Sequence, residues 1–361
     1  MIEHAYIHIP FCIRKCNYCS FVSGYNIELK DRYLSALKQE IKEKYKGEVL
    51  KTLYIGGGTP SLLEANDIKE ILSCFNYSQD CEITLEANPE TVDSDKFKGY
   101  KEAGINRISL GVQTFDNNLL NLIGRKHTKE DIIHAVSIIK KTGFSNISID
   151  LIYGLPTQTL ENFSDDIENA LKLNVQHIST YGLKIEENSF FFKNTPDNLP
   201  DDEMQAKMYL HLCKILKEYN YNHYEISNFE KEGYGSKHNS AYWHNKEYYG
   251  FGLNASGYEN NIRYKNTSVM EEYLKNPLAK EENEVLNEKN TMENEIFLAL
   301  RLKKGINIKK LNEKYNIDFI EKYKKVIKKY ENTSLTESKD GYYCLTEKGF
   351  LLSNEIMSEF L

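Results

Sequence analysis

Three cysteines fall within eight residues, Cys12, Cys16 and Cys19, in the spacing C-x3-C-x2-C. Thiolate is the ligand of iron–sulfur clusters, and full ligation of a [4Fe–4S] cluster takes four cysteines. Three leave one iron without a protein ligand and open to a substrate. Buried, unrelated thiols are one alternative, because free cysteine is commonly buried. A structural zinc site is another, but zinc wants a fourth Cys or His at a fixed offset. The nearest candidate is His8, on the strand before the loop, and the sequence leaves its direction open. The tight spacing and the aromatic Tyr18 before Cys19 favour the cluster. The other four cysteines, Cys74, Cys81, Cys213 and Cys344, are too scattered to read as a disulfide framework. A reducing, cytoplasmic setting is expected.

With 361 residues, two domains or one large domain with an appendage are expected. The 40% hydrophobic and 27% charged content is that of a soluble globular chain. No apolar run is long enough to predict a transmembrane helix, and Met1-Ile-Glu-His-Ala does not begin like a signal peptide. A net charge of −7 argues against bulk nucleic-acid binding.

Strand and helix patterns then alternate. Strands are predicted at 5–9, 51–55, 81–87, 107–112, 147–152 and 177–183. Helices are predicted at 28–46, 65–75, 93–103, 117–123, 129–142, 160–173 and 201–219. Such alternation predicts an α/β fold with a parallel sheet and right-handed crossovers. Six units make a partial (β/α)6 barrel, short of the closed eight-fold form. Cys12, Gly56, Glu86, Gln113 and Asp150 all fall at or just after strand ends, where such barrels place their chemistry. The barrel is expected over 1–225. An irregular aromatic and Gly-rich segment with a polar linker follows at 226–290, the linker being 277–290. A mostly helical, winged-helix-like domain is expected over 291–361, with one helix at 319–330 and one running from Thr346 to Leu361. Ten lysines between 303 and 329 give that domain a basic stretch. A solvated face explains them better than DNA binding.

Several motifs suit one ligand. Gly56-Gly-Gly-Thr-Pro-Ser61 ends a strand, and its glycines let backbone approach a ligand closely. Glu86 stands where a strand would normally carry an apolar residue, and Asp150 in Ile149-Asp-Leu-Ile-Tyr-Gly-Leu-Pro156 has the same character. Gln113 and Arg125 add an amide and a fixed cation, and a guanidinium fork matches a carboxylate. His238-Asn-Ser-Ala-Tyr-Trp243 holds the only tryptophan beside a histidine. His is a common haem-iron ligand.

These segments, with Tyr6-Ile-His-Ile-Pro-Phe-Cys12, Leu85-Glu-Ala-Asn-Pro89, Arg107-Ile-Ser-Leu-Gly-Val-Gln113 and Leu345-Thr-Glu-Lys-Gly349, resemble the radical S-adenosylmethionine (SAM) proteins related to oxygen-independent coproporphyrinogen III oxidase. The resemblance covers nearly the whole chain and is nearest to the haem-chaperone branch. It implies a [4Fe–4S] cluster on Cys12, Cys16 and Cys19, with SAM chelating the open iron and cleaved to a 5′-deoxyadenosyl radical. It places SAM against Tyr6, Tyr18, Gly57, Gly58, Thr59, Glu86, Gln113, Arg125 and Asp150, and haem on His238. The expected partners are haem, a haem-acceptor protein and an electron donor, with membrane contact only through the acceptor and no nucleic acid. The oxidases carry a further cysteine two positions after the third, where this chain has Phe21. They also carry a longer N-terminal extension than the five residues before Tyr6. Both features favour the chaperone over the alternative, oxidative decarboxylation of coproporphyrinogen III. One departure stands out: Asn254-Ala-Ser-Gly257 has Ser256 where the family usually has a histidine.

Overall fold

The structure is a computed structural model describing residues 1–24 and 26–361. Six strands run parallel in sequence order: β1 (His4–Ile9), β2 (Val49–Gly57), β3 (Asn76–Ala87), β4 (Arg107–Gln113), β5 (Ile147–Tyr153) and β6 (His177–Gly182). Beyond β6 lie β7 (Asn222–Glu225) and β8 (Asn228–Glu230), with β8 antiparallel to β6. On the other side β9 (Tyr249–Phe251) joins β1 in parallel. The nine strands run in the order β7-β8-β6-β5-β4-β3-β2-β1-β9, so the sheet has two free ends and does not close.

Side chains on a strand alternate between faces, and here the two faces differ in chemistry. In β4, Ile108, Leu110 and Val112 face outward while Arg107, Ser109 and Gln113 face the lumen. The outward rows, with Leu53 and Ile55, Ile83 and Leu85, and Ile147, Ile149 and Leu151, form the core. Helices α1 (Lys30–Lys44), α2 (Ala65–Leu72), α3 (Ser94–Ala103), α4 (Asn117–Leu122), α5 (Lys129–Lys141) and α6 (Leu160–Lys172) connect the strands. Leu37 and Ile41, Ile68 and Leu72, and Phe163 and Ile167 from three of them pack on that core. The lumen rows are polar. Glu86 aligns with Ser109, Ser109 with Ser148, and Asp150 with Ser179. A closed parallel barrel fills its interior with branched side chains; this one keeps a cavity.

Two further helices, α7 (Phe190–Lys193) and α8 (Asp202–Glu218), precede α9 (Lys237–Trp243), which closes the lower end of the lumen. The Glu82 carboxylate accepts from the backbone amides of Lys237 and His238, at 3.1 and 3.0 Å.

The remainder is more regular than the sequence predicts. Strands Ser256–Glu259, Ile262–Asn266 and Lys280–Val285 form an antiparallel sheet, so the expected linker at 277–290 holds a strand, followed by a helix at Glu288–Ala299. Every side chain of Lys280–Val285 is exposed. The strand is held by backbone pairing, with Glu281 and Glu282 facing Lys265 and with Lys280 over the Tyr264 ring, which leaves no apolar alternation to read. The C-terminal segment has helices around a three-stranded sheet in which Tyr342–Leu345 is central. The helix predicted over 319–330 is two, Phe319–Lys322 and Lys324–Tyr330, and the last helix also breaks, at Leu352. Lys303, Lys309, Lys314, Lys324 and Lys329 of the basic stretch each pair with a glutamate.

A buried carboxylate ties the barrel to the segment after β9. Glu40 on α1 accepts from Lys44 Nζ at 2.9 Å, Asn266 Nδ2 at 2.8 Å, the Gly252 amide at 2.7 Å and the Tyr273 hydroxyl at 2.7 Å. Four donors compensate the desolvation of one charge; removing the acceptor orphans the Gly252 amide and the Tyr273 hydroxyl and takes the carboxylate from Lys44, while Lys44 and Asn266 keep bonds to the Gly250 and Gly252 carbonyls. Glu40→Leu is therefore expected to lower unfolding free energy by about 3–5 kcal/mol, measured by denaturant titration. Glu40→Gln, which keeps the shape and accepting oxygen, should lose less.

Candidate functional site

Pro10 ends β1, and the following loop folds over the C-terminal ends of the strands. It is pinned by backbone bonds from Gly24 to Pro10, from Asn17 to Ile123 and from Phe191 to Asn17, at 3.1, 3.0 and 2.9 Å. His8 is settled by its bonds. The Tyr6 hydroxyl donates to its Nδ1 at 3.0 Å, and Nε2 donates to the Val22 carbonyl at 3.0 Å. Burial pushes its pKa down to about 4, so the ring is neutral. With both nitrogens engaged, His8 braces the loop and is not placed to be a fourth metal ligand.

Glycines let β2 meet this loop. The Gly58 amide bonds the Ile9 carbonyl at 2.8 Å. A Cβ on Gly58 would lie 2.5 Å from the Phe11 carbonyl oxygen and 2.9 Å from Cys12 Sγ. Gly57 has φ +114°, and a Cβ there would strike the His8 ring. The next residue begins a hydrogen-bonded chain. Thr59 Oγ1 reaches Cys12 Sγ at 3.5 Å and accepts from Asn88 Nδ2 at 3.0 Å. Arg125 donates to Asn88 Oδ1 at 2.7 Å and to the Tyr18 hydroxyl at 2.9 Å. Cys12, Thr59, Asn88, Arg125 and Tyr18 thus form one connected arc. Burial works against the Arg125 charge, but its neighbours Tyr18, Cys16 and Glu90 hold it protonated. Its Nε is buried without a hydrogen-bond partner among the described residues.

Below the arc lies a cavity of about 470 Å³. Cys12, Cys16, Cys19, Tyr18, Gly57, Gly58, Thr59, Glu86, Gln113, Arg125 and Asp150 all line it. Glu86 accepts from the Tyr54 hydroxyl at 2.7 Å and the Gly57 amide at 3.0 Å. Burial still pushes its carboxyl up to about 7, and the charge of Asp150 adds to the rise. Burial also raises Asp150, which accepts from Ser109 Oγ at 3.2 Å. Gln113 takes φ +71° at the end of β4, a costly conformation for a non-glycine residue. Its Nε2 folds back to 2.8 Å from where a Gly111 Cβ would stand, so Gly111 makes room for it.

Two expected site residues do not line the cavity. Tyr6 lies behind Tyr54, with ring centroids 6.1 Å apart. His238 stacks on Tyr54 at 5.1 Å and bonds Thr52 Oγ1 through Nδ1 and the Tyr242 hydroxyl through Nε2, both at 2.7 Å. Burial lowers its pKa to about 3. Iron ligation by His238 therefore requires giving up both bonds. Ser256, at the family's histidine position, is exposed on its strand and outside the cavity lining. Tyr54, Asn88, Arg107, Ser109, Ser179 and Tyr181 line the cavity and were not singled out from sequence. The signal that could have found them is the polar, period-two face shared by β2 to β6.

Residues 6–170 match the model of the radical SAM superfamily, and residues 286–352 match the HemN C-terminal domain. The chain is 41% identical to the haem chaperone HemW of Lactococcus lactis subsp. lactis (strain IL1403), over 99% of this chain and 97% of that protein. It is 38% identical to the haem chaperone HemW of Bacillus subtilis (strain 168), over 100% of this chain and 99% of that protein. The chain belongs to the HemW family of radical SAM proteins. The same fold occurs in coproporphyrinogen III oxidase (HemN) from Escherichia coli, with a TM-score of 0.87, 22% identity, and coverage of 99% of this chain and 89% of that one.

Membership of a radical SAM family brings a [4Fe–4S] cluster and SAM. The donor set of this HemW-family chain fits both. Three thiols project from one loop into the cavity. Among the described residues no three Cys, His, Asp or Glu side chains converge on a single-ion site, whereas cluster ligands each take a separate iron. Buried carboxylates and an incompletely bonded guanidinium match the ammonium, hydroxyl and carboxylate groups of SAM.

The raised Glu86 pKa has a definite sign. Its folded value of about 7 exceeds the ordinary 4.5, so in the ligand-free protein this group costs stability as pH rises through that window. Glu86→Gln is expected to stabilise the ligand-free protein at pH 8 by about 1–3 kcal/mol, read from thermal or denaturant unfolding. A cationic ligand prefers the ionised carboxylate. SAM affinity, measured by calorimetry, should therefore fall as pH drops below about 7 in wild type and show a flatter profile in the variant.

Proposed function

We propose that this chain binds haem and passes it to an acceptor protein, with the cluster and SAM as resident cofactors. The observation that carries the reading is the full-length likeness to two proteins named haem chaperones, at 41% and 38% identity. Phe21 supports it. The side chain is exposed at the cavity rim, where the sequence resemblance expects a further cysteine in the oxidases.

In this reading Cys12, Cys16 and Cys19 hold the cluster. Bound cluster and SAM supply one-electron chemistry, and the protein positions them. The Gly57–Thr59 segment and Glu86 receive the ammonium group, Arg125 the carboxylate and Asp150 the ribose hydroxyls. Tyr18 and Asn88 hold the Arg125 fork in place, and Gln113 closes the end of β4 over the ligand. Tyr6 acts one layer back, through His8 and Tyr54. The protein works in the cytoplasm, takes electrons from a separate donor and meets a membrane only through its acceptor. No helix among the described residues is long and apolar enough to cross a membrane.

Two imidazoles of the Lys237–His244 segment compete for haem iron. His238 is buried and doubly bonded, as described above. His244 is exposed, with Nδ1 donating to the Ser240 carbonyl at 2.7 Å, an orientation that leaves Nε2 to face outward.

The test is an anaerobic optical titration of the cluster-loaded protein with haem. A saturable, near-stoichiometric Soret shift is expected, and no shift sinks the chaperone reading. Loss in His238→Ala alone assigns the buried ring, and loss in His244→Ala alone assigns the exposed one. The same preparation incubated with coproporphyrinogen III and SAM should release no carbon dioxide. Product lighter by lost carboxyl groups would transfer the assignment to the oxidase.

A further inference from the structure

Arg107 opens β4 deep in the lumen and is 2% exposed, yet it lines the cavity. Its Nε and Nη1 are buried with no hydrogen-bond partner among the described residues. Its register neighbour on β3, Thr84, is fully buried and also has an unpartnered hydroxyl.

The surrounding acceptors are already engaged. His177 bonds Ser148 Oγ at 2.7 Å through Nδ1 and the Tyr224 hydroxyl at 2.9 Å through Nε2. His238 is engaged at both nitrogens by Thr52 and Tyr242. Burial keeps both rings uncharged at neutral pH. Asp150 and Glu230 feel the guanidinium electrostatically, but among the described residues neither forms an ion pair or hydrogen bond with it, and each is bonded elsewhere, to Ser109 and to the Gly235 amide. A buried, unpaired charge is among the costliest groups a fold can carry. A guanidinium fork is matched by a carboxylate in two parallel hydrogen bonds.

We propose that Arg107 forms a second anion site on the lumen floor, distinct from Arg125, which takes the short carboxylate arm of a ligand bound together with SAM. Ser179, Ser236 and Asn239 also line the cavity and offer it neutral hydrogen-bonding groups. This deepens the function proposed above and rests on it in one respect: a tetrapyrrole propionate is the carboxylate arm that such a cargo brings.

The test uses the full-length protein and Arg107→Met, with Arg107→Lys as the charge-retaining control. Without ligand, Arg107→Met should melt at or above the wild-type temperature, because it removes a buried guanidinium whose Nε and Nη1 have no hydrogen-bond partner among the described residues. A clearly lower melting temperature would make Arg107 a structural residue and overturn the site. With SAM present, sodium propionate should raise the wild-type melting temperature relative to sodium chloride at equal ionic strength, with less effect on Arg107→Lys and none on Arg107→Met. No propionate effect on wild type overturns the proposal. SAM affinity should stay within about two-fold in Arg107→Met, whereas a loss of about ten-fold, the size of one charged hydrogen bond, would give Arg107 to the SAM carboxylate instead. Haem and haem dimethyl ester separate this site from the function it rests on. Wild type should bind the free acid about ten-fold more tightly, and Arg107→Met should bind both alike. Equal binding of acid and ester by wild type rejects the propionate assignment while haem binding itself stands.

Discussion

Each lumen-facing side chain of this protein stands on a strand whose other face is pressed into an apolar core. Ile108, Leu110 and Val112 are fully buried beneath the helices, and with their backs fixed, Arg107, Ser109 and Gln113 must point inward. The same constraint acts on β2, β3, β5 and β6. Apolar burial contributes roughly 25 cal/mol per Å², so slipping any strand by one residue would expose its core face and bury its polar one. The polar lumen is a consequence of that register. Because the sheet does not close, its concave side is finished by other segments: the cysteine loop above and α9 below.

The upper closure depends on backbone approach. Gly58 brings β2 against the Phe11 carbonyl and Cys12 sulfur, and no larger residue fits that contact. From there the hydrogen bonds run through Thr59 and Asn88 to Arg125 and Tyr18. The cysteine loop is thus referenced to the strand ends and not left to its own flexibility, which is how a binding geometry is kept within a fraction of an ångström. The lower closure is different. α9 is anchored by Glu82, Thr52 and Tyr224 through hydrogen bonds. Its histidine serves this packing in the ligand-free protein, and that sets a cost on any ligand that recruits the ring.

Electrostatics divides the cavity into two regions. Near the cluster loop, Arg125 is surrounded by acceptors that keep it charged and fixed. Opposite it, Glu86 and Asp150 are crowded carboxylates whose pKa values burial drives upward. On the floor, Arg107 Nε and Nη1 have no acceptor among the described residues. In the function proposed above, the ammonium and carboxylate groups of SAM satisfy the upper region, and the proposed second anion site lies on the floor.

Much of this was written in the amino-acid order. The Cys12, Cys16 and Cys19 spacing determined a three-cysteine loop, and strand–helix alternation determined six parallel strands with Glu86, Gln113 and Asp150 near their ends. Local patterns suffice there because a strand's faces and a short ligand loop depend on neighbours in sequence. Tertiary structure decided what those patterns could not carry. It turned His8 and His238 into bonded, buried rings, through Val22 and through Thr52, which lies 186 residues from His238. It paired Lys280–Val285 as a strand through its backbone and charged side chains, with no apolar period to reveal it. It also left Arg107 Nε and Nη1 without a hydrogen-bond partner among the described residues. Whether a polar side chain is satisfied depends on which distant groups pack around it, and that is set only when the whole chain has folded.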